Sequence, residues 1–252
     1  MIEAVGVVVP AHDEEELLPA CLAALSQAVA TVTAERPGLR VRIVVAADAC
    51  TDDTAAVARR AGALVVPLNF KNVGRARASG LSELLRPGAT AWGGRPPAPE
   101  RLWLATTDAD SVVPTGWLAD QLRSADAGWE AVVGTVAVAD WTGHRDGTVR
   151  EFIRRYGRWD GWHPHVHGAN LGFTARAYAA VGGFPARRTG EDRALVAALQ
   201  AAGHRVRRSA AGPVITSARS RYRAPAGFGH DLATLNDGPG ALQGLRGGAG
   251  GV

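Results

Sequence analysis

The stretch at residues 102–110 reads Leu102-Trp103-Leu104-Ala105-Thr106-Thr107-Asp108-Ala109-Asp110 and joins an apolar run to two aspartates separated by one residue. The apolar run is typical of a buried strand, and side chains along a strand alternate between its two faces. We therefore expect both carboxylates to project to the same side where the strand ends. Hard divalent cations bind such oxygens and often share their coordination with substrate phosphates. The pattern indicates a metal and nucleotide site, although Asp-x-Asp is also common in surface loops.

Strand and helix patterns alternate on both sides of this stretch. Apolar and β-branched runs predict further strands at residues 5–10, 41–47, 63–67 and 131–139. Apolar residues at helical spacing and capping side chains predict helices at residues 14–29, 51–61, 72–85, 115–125, 149–159, 175–181 and 191–202. The turn-rich residues 86–100 are predicted to form an exposed loop, and the glycine-rich residues 231–252 a disordered tail. Alternating strands and helices favour a parallel sheet whose strand ends form a ligand crevice.

Composition narrows the class of protein. The 252 residues are enough for one large α/β domain. We expect no membrane span, which needs roughly 18 to 20 apolar residues, and the first residues lack a secretory pattern, so a cytoplasmic protein is predicted. Cys21 and Cys50 form no ligand pair and are expected to be reduced. Residues 151–230 contain thirteen arginines and four acids. Such a basic half could bind phosphates, an anionic membrane or nucleic acid, or could simply be a solvated surface.

Acidic residues follow three of the predicted strands. His12-Asp13-Glu14-Glu15 follows the first, Asp48-Ala49-Cys50-Thr51-Asp52 the second, and Asp108-Ala109-Asp110 the strand at residue 102. Because the carboxyl ends of parallel strands lie at one edge of the sheet, we expect these groups to meet there. Asp13 and Asp52 also suit a second purpose, since aspartate side chains cap the N-terminal amides of helices.

The order of these motifs resembles that of the family 2 glycosyltransferases of the GT-A fold. The resemblance covers most of residues 4–225 and rests on Val7-Val8-Val9-Pro10-Ala11-His12-Asp13-Glu14-Glu15, Asp48-Ala49-Cys50-Thr51-Asp52-Asp53-Thr54, Asn72-Val73-Gly74-Arg75-Ala76-Arg77, Asp108-Ala109-Asp110, Gly168-Ala169-Asn170 and Gly190-Glu191-Asp192. It implies an α/β fold with a Rossmann-like, mostly parallel central sheet flanked by helices. One domain would span residues 1–230, with a nucleotide-binding half at 1–113 and an acceptor half at 114–230.

The resemblance implies a metal-dependent transfer of a sugar from a nucleoside diphosphate sugar, with uridine diphosphate as the default, to a hydroxyl acceptor, with inversion. It implies donor contacts from Pro10, Ala11, His12, Glu14, Asp48, Arg75, Thr107, Asp108 and Ala109. A manganese or magnesium ion would bind Asp110, with Asp108 beside it and His230 as a further ligand. At a helix start, Asp192 would be the general base and Glu191 would orient the acceptor. The acceptor side would comprise Trp162, His167, Gly168, Ala169 and Asn170.

Departures from the family pattern leave the nucleotide open. Asp13 stands where the family has asparagine, Ala47 where many members have aspartate, and Ala49-Cys50 where they have Gly-Ser.

Two further patterns also have simpler structural interpretations. Glu191 and Asp192 would also complement a helix dipole, and the alternating histidines at 163, 165 and 167 would suit a transition metal only if Pro164 did not interrupt them.

Other functions remain as alternatives. A retaining enzyme of the glucosyl-phosphoglycerate synthase type shares the opening motif and Thr51-Asp52-Asp53-Thr54. A nucleotidyltransferase is disfavoured because the first strand is followed by acids rather than a glycine-rich basic loop. A dehydrogenase is disfavoured because no G-x-G-x-x-G follows that strand. A non-enzymatic protein could bind lipid or nucleic acid through the basic half. For the enzyme, we expect no nucleic-acid partner, and the basic helix at residues 149–159 would allow peripheral contact with the inner face of a membrane.

Overall fold

The computed structural model describes residues 1–86, 90–157 and 161–219. The strands are β1 (Ala4–Ala11), β2 (Arg40–Asp48), β3 (Leu64–Leu68), β4 (Leu102–Thr106), β5 (Ser111–Val112), β6 (Ala131–Val138), β7 (Leu171–Thr174) and β8 (Val206–Thr216). The helices are α1 (Leu18–Glu35), α2 (Thr54–Arg60), α3 (Val73–Leu85), α4 (Trp117–Asp126), α5 (Asp146–Tyr156), α6 (Ala175–Ala180) and α7 (Glu191–Ala201).

One sheet holds these strands in the order β3-β2-β1-β4-β7-β6-β8-β5. The four strands from β3 to β4 are parallel, whereas β7 pairs antiparallel with both β4 and β6. Val8 of β1 stands opposite Val44 of β2 and Thr106 of β4. The predicted fold class, a mixed α/β fold with parallel strands at its centre and helices around it, is confirmed.

The central strands read as continuous apolar runs because helices cover both faces of the sheet. Residues 4–9 of β1 and all of β4 are buried. Glycines allow α3 to approach β1 closely: a Cβ atom at Gly80 would lie 2.3 Å from Val8 Cγ2, and one at Gly6 would lie 2.5 Å from Leu84 Cδ1. This close packing fixes α3, which carries several motif residues, directly on the central strand.

Helix α1 differs from the prediction at both ends. It begins at Leu18 rather than at residue 14, with Pro19 in its first turn, and continues to Glu35. Its 18 residues have a mean hydropathy of 1.2, so by length and composition it could cross a membrane. The sequence-based expectation of no membrane span, which rested on a count of apolar residues, did not identify α1 as such a segment. Its buried residues recur at helical spacing and form one face turned to the core, as in the core helix of a globular domain: Leu18, Cys21, Leu22, Ala24, Leu25, Ala28 and Val32.

The prediction of an exposed loop at residues 86–100 was also wrong for part of its length. Short 3₁₀ turns form at Thr90–Trp92 and Pro99–Arg101. Trp92 is only 5% exposed, and its indole Nε1 donates to the Leu84 carbonyl at 3.0 Å. Proline and glycine correctly indicated irregular backbone, but a tryptophan has a large apolar surface to bury even where the backbone turns. Residues 87–89 lie outside the described part of the chain.

The strands of the second half were only partly predicted. β6 was predicted, but β5, β7 and the 11-residue β8 were missed. In β8, arginines, serine and glycine interrupt the apolar alternation, since most of its residues are only half-buried. The predicted tail at residues 231–252 lies outside the described residues.

Contacts divide the chain into two compact units. Among the described residues, the larger comprises those within 1–137 and 161–216, and the smaller comprises residues 138–157 and 217–219. Within the smaller unit, α5 places Phe152 between Trp141 and Tyr156, with ring centroids 5.2 and 5.0 Å away. Its Ile153 is 53% exposed. All residues of the candidate site described below belong to the larger unit.

Candidate functional site

Three loops meet at one edge of the sheet. Because β1 lies between β2 and β4 and all three are parallel, the residues that follow them emerge side by side. The predicted meeting of the three acidic segments is therefore confirmed. The segments are residues 12–15 after β1, 48–54 after β2 and 107–110 after β4.

The first two of these segments, called the paired loops below (residues 12–15 and 48–54), are joined by reciprocal hydrogen bonds. Backbone amides of each loop donate to side chains of the other: Thr51 N to Asp13 Oδ1 (2.6 Å), Asp53 N to Glu15 Oε2 (2.8 Å), Glu15 N to Asp52 Oδ2 (3.1 Å) and Glu14 N to Thr54 Oγ1 (2.7 Å). The Thr51 amide holds the pKa of Asp13 below its usual value. Asp52 also accepts from the Thr54 amide at 3.0 Å, so its predicted role at the start of α2 is confirmed.

Asp13, Cys50 and Asp52 form a group of three metal-type ligands within the described residues, with one ligand atom each inside 4.8 Å of the others. The two carboxylates already accept the backbone bonds just described. Cys50 Sγ donates to the Ala11 carbonyl at 3.4 Å, and burial raises the pKa of its thiol. These hydrogen bonds explain why the three residues lie close together: they help to link the paired loops.

Asp48 ends β2 as a buried carboxylate, 4% exposed. It accepts three backbone amides from the loop that leads into α3: Phe70 N (2.5 Å), Lys71 N (3.1 Å) and Asn72 N (2.8 Å). The carbonyl of the same residue accepts from His12 Nδ1 at 2.7 Å. Asp48 and His12, both predicted to contact the donor, thus also hold the loops around the crevice.

Ala49 adopts a left-handed backbone conformation, with φ of 55°. This conformation crowds a Cβ atom against the backbone, which glycine avoids. We expect Ala49→Gly to raise the free energy of unfolding by about 1 kcal/mol, measured by urea denaturation. The matched control is Ala47→Gly in the extended backbone of β2, which should lower that free energy by about 0.5 to 1 kcal/mol. A loss of stability in both variants would contradict the strain at Ala49.

The first turn of α3 fixes the loop that leads into α7. The Asn72 side chain accepts from Arg75 N at 3.0 Å and caps α3. Gly74 N donates to the Arg187 carbonyl at 3.1 Å, and a Cβ atom at Gly74 would lie 2.3 Å from the Pro185 carbonyl oxygen. Only glycine allows this approach. Arg75 itself is exposed and its guanidinium lies 3.7 Å from the centre of the Phe70 ring.

Arg77 joins the two acidic motifs of the site. Its side chain is 4% exposed. Its guanidinium donates to Asp108 through Nη2, to Glu191 through Nη1, and to Thr106 Oγ1 through Nε at 3.2 Å. The sequence assigned Arg77 no role, although it closes the Asn72 to Arg77 motif. That position was the available signal, but the two partners are separated from Arg77 by 31 and 114 residues.

Asp192 lies in the first turn of α7, beside Glu191. Its Oδ2 accepts from Gly168 N at 2.8 Å and its Oδ1 from Arg193 N at 2.7 Å. A Cβ atom at Gly168 would lie 2.4 Å from Arg77 Nη2, so the glycine backbone packs directly against the guanidinium. The structure thus brings together the predicted residues Asp108, Gly168, Glu191 and Asp192.

The loop after β4 presents oxygen ligands at the same edge. Thr107 and Ala109 are buried, and the Thr107 hydroxyl lacks a hydrogen-bond partner among the described residues. Asp108 and Asp110 are both half-buried, and Ser111 Oγ donates to Asp110 Oδ1 at 3.4 Å. Below the loop, Cys21 Sγ donates to the Asp108 carbonyl at 3.4 Å, and burial raises the pKa of this thiol. Carboxylate oxygens suit Mn²⁺ or Mg²⁺; His230, the further ligand predicted, lies outside the described residues.

The predicted acceptor residues have mixed environments. Trp162 is 67% exposed, with the Arg208 guanidinium 5.8 Å from its ring centre. Asn170 is buried: its Nδ2 donates to the Thr135 carbonyl at 2.8 Å and its Oδ1 accepts from Trp117 Nε1 at 2.9 Å. Ala169 is also buried. Any contribution of Asn170 to acceptor binding would therefore come from shaping the segment.

The alternating histidines stack rather than converge. The ring centroids of His163 and His165 are 6.2 Å apart, and those of His165 and His167 are 6.0 Å apart. Within the described chain they form no group of metal-type ligands. Burial, with the nearby His165, Arg193 and His163, lowers the pKa of His167 to about 3. His167 is therefore neutral at physiological pH.

Comparisons with known proteins identify the fold and the family of the chain. TarS from S. aureus (residues 1–349, in complex with UDP-GlcNAc) has a TM-score of 0.62 and 13% identity, over 92% of this chain and 65% of that one. The mannosyltransferase PcManGT from Pyrobaculum calidifontis, in complex with GDP-Man and Mn²⁺, has a TM-score of 0.61 and 20% identity, over 86% of this chain and 57% of that one. The chain thus spans less than two thirds of the length of these two proteins.

Glucosyl-3-phosphoglycerate synthase from Mycobacterium tuberculosis, in complex with Mn²⁺, UDP-glucose and phosphoglyceric acid, has a TM-score of 0.57 and 14% identity, over 93% of this chain and 76% of that one. At such identities the likeness establishes the fold, which is GT-A. No curated protein matches the sequence significantly. The family model described as "Glycosyl transferase family 2" matches residues 6–182, more than half of the chain. The chain therefore belongs to glycosyl transferase family 2.

Proposed function

We propose that this protein transfers a sugar from a nucleoside diphosphate sugar, with uridine diphosphate as the default nucleotide, to a hydroxyl group of an acceptor. The observation that carries the proposal is the cluster in which Arg77 binds both Asp108, from the loop after β4, and Glu191, beside Asp192 at the start of α7. One half of such a reaction stabilises a leaving diphosphate and the other activates an attacking hydroxyl. The cluster joins an acidic motif suited to the first half, at Asp108, to one suited to the second half, at Glu191 and Asp192.

On the donor side, Asp110 and Asp108 would hold Mn²⁺ or Mg²⁺, which neutralises the negative charge that develops on the leaving diphosphate. The hard carboxylate oxygens on one short loop fit such an ion. The paired loops and Thr107 would border the nucleoside. Arg75, an exposed cation at the start of α3, would add positive charge beside the diphosphate.

On the acceptor side, Asp192 would act as the general base. The amides of Gly168 and Arg193 hold its carboxylate in place, and an ionised carboxylate can take the proton from a hydroxyl as the oxygen attacks the anomeric carbon. Attack from the face opposite the diphosphate inverts the anomeric configuration. Trp162 offers an exposed aromatic face on which a sugar or apolar acceptor could stack.

A second candidate is a transfer with retention of configuration. It is favoured by the fold likeness to glucosyl-3-phosphoglycerate synthase, which extends over 93% of this chain. The anomeric configuration of the product, determined by NMR, distinguishes the two candidates. An inverted product supports Asp192 as base, whereas a retained product overturns that assignment.

Calorimetry with UDP-, GDP- and TDP-linked sugars, each with and without Mn²⁺, tests the proposal. We expect one nucleotide to bind at micromolar to millimolar concentration with Mn²⁺ and much more weakly without it, because the ion links the acidic loop to the diphosphate. The chain should also hydrolyse that donor slowly in the absence of an acceptor. Metal-dependent affinity for none of these donors would overturn the proposed function and favour a non-enzymatic binding protein.

A further inference from the structure

Arg77 has more partners than charge compensation alone requires. A single carboxylate would balance its charge, yet its guanidinium binds two, and these come from elements far apart in the sequence. Asp108 follows β4, while Glu191 begins α7 and is itself 5% exposed at its side chain. The third donor, Nε, binds Thr106 at the end of β4. The planar fork of donors thus spans the two sides of the site.

Stability alone is a weak explanation for this arrangement. Moving an arginine and a carboxylate out of water carries a desolvation penalty that their attraction often fails to exceed, so a buried ion pair is frequently no more stabilising than apolar side chains of similar size. A fixed fork of hydrogen bonds does, however, define distances and angles between the elements it joins. The geometry that Arg77 fixes is the position of α7 relative to the end of β4.

We infer that Arg77 is a positioning residue that holds the first turn of α7, and with it Asp192, at a set place relative to Asp108. Two contacts carry its influence to Asp192. Glu191, bound by Nη1, is the adjacent residue in the chain. Gly168, whose amide holds the Asp192 carboxylate, packs directly against Nη2. The inference rests on the proposed function, in which Asp192 is the base.

Loss of Arg77 should therefore affect the chemical step more than donor binding. Misplacing a reacting group by about 1 Å can lower a rate by about 100-fold. Although Asp108 would lose its bond to Arg77, the paired loops and Asp110, which would bind much of the donor, keep their own hydrogen bonds. The signature is a fall in kcat with little change in the dissociation constant of the donor.

The test compares variants of Arg77 and Glu191, and a control variant, with the wild type by donor hydrolysis and by calorimetry with the donor and Mn²⁺. Arg77→Lys keeps a cation that can reach one carboxylate, and we expect kcat to fall about 30- to 100-fold with donor affinity changed less than about 5-fold. The double variant Arg77→Gln/Glu191→Gln removes both charges and leaves a neutral pair. This variant is included because Arg77→Gln alone would leave the buried Glu191 carboxylate unpaired, which could destabilise the fold.

Non-additivity gives a second readout. If Arg77 acts through Glu191, Arg77→Gln and Glu191→Gln should each lower kcat, and the double variant should lose about as much kcat as either alone. The control is Arg42→Gln, which removes an exposed arginine of β2, within the larger unit, whose Nε donates to the Ala91 carbonyl at 2.6 Å. It should lower thermal stability but leave the kcat of the folded protein unchanged.

Three results would overturn the inference. They are an unchanged kcat in folded Arg77 variants, a loss of donor affinity as large as the loss of kcat, and a fall of kcat in Arg42→Gln equal to that in Arg77→Lys. Each presupposes a wild-type protein that binds and hydrolyses a donor. A wild type without these activities would overturn the proposed function instead, so the two failures are distinguishable.

Discussion

Asp192→Asn is expected to lower kcat by about 1,000-fold while the donor binds almost as tightly as in the wild type. An amide cannot take a proton at neutral pH, and removal of a general base typically lowers a rate by about 100- to 10,000-fold. Its oxygen can still accept the Gly168 amide, which binds Asp192 at 2.8 Å, so the segment should keep its conformation. Steady-state kinetics give kcat, and calorimetry with the donor and Mn²⁺ gives the dissociation constant.

Asp126→Asn is the matched control for this variant, because Asp126 is an exposed acid at the end of α4 that binds Arg36. It should leave both kcat and donor affinity unchanged, since exposed ion pairs contribute little. If Asp192→Asn lost donor binding together with turnover, Asp192 would be a structural acid that complements the dipole of α7 rather than a base.

Asp110→Asn should remove the dependence of donor binding on Mn²⁺ and lower kcat by about 100- to 1,000-fold. The neutral amide is a poorer ligand for a hard cation, and its oxygen can still accept from Ser111, which donates to Asp110 at 3.4 Å. Calorimetric titration of the variant with donor, at increasing Mn²⁺ concentration, measures the effect.

The control for Asp110 is Asp120→Asn, which changes an exposed acid of α4 that binds Arg123. Mn²⁺ should strengthen donor binding in this control as it does in the wild type. An equal Mn²⁺ response in Asp110→Asn would show that the ion binds elsewhere, for which Asp13, Cys50 and Asp52 are the other described group.

The half of the site that lies at strand ends could be predicted from sequence because local patterns determine it. Short buried runs identified β1, β2 and β4, and parallel topology then required their acidic exits to meet. The same logic covers the helix starts at Asn72 and Glu191, where capping or acidic residues mark the first turn. The family motifs added roles to these residues, and those roles await the experiments above.

What could not be predicted depends on contacts between distant segments. Nothing near Arg77 in the sequence indicates that it binds Glu191, 114 residues later. The burial of Trp92 depends on how a turn folds back on α3. The surrounding proline and glycine residues do not indicate the hydrogen bond from its indole to the Leu84 carbonyl. β8 was missed because a strand that is half-exposed and rich in arginine has no strong period.

The paired loops have a consequence for the thermodynamics of ligand binding. Their backbone is fixed by four cross-loop hydrogen bonds before any ligand arrives, those of Thr51, Asp53, Glu15 and Glu14. A ligand that binds against them has little loop motion to freeze, so more of its interaction energy remains as affinity. Binding there should resemble association with a preorganised surface, with a small loss of conformational entropy, rather than the closing of a flexible loop.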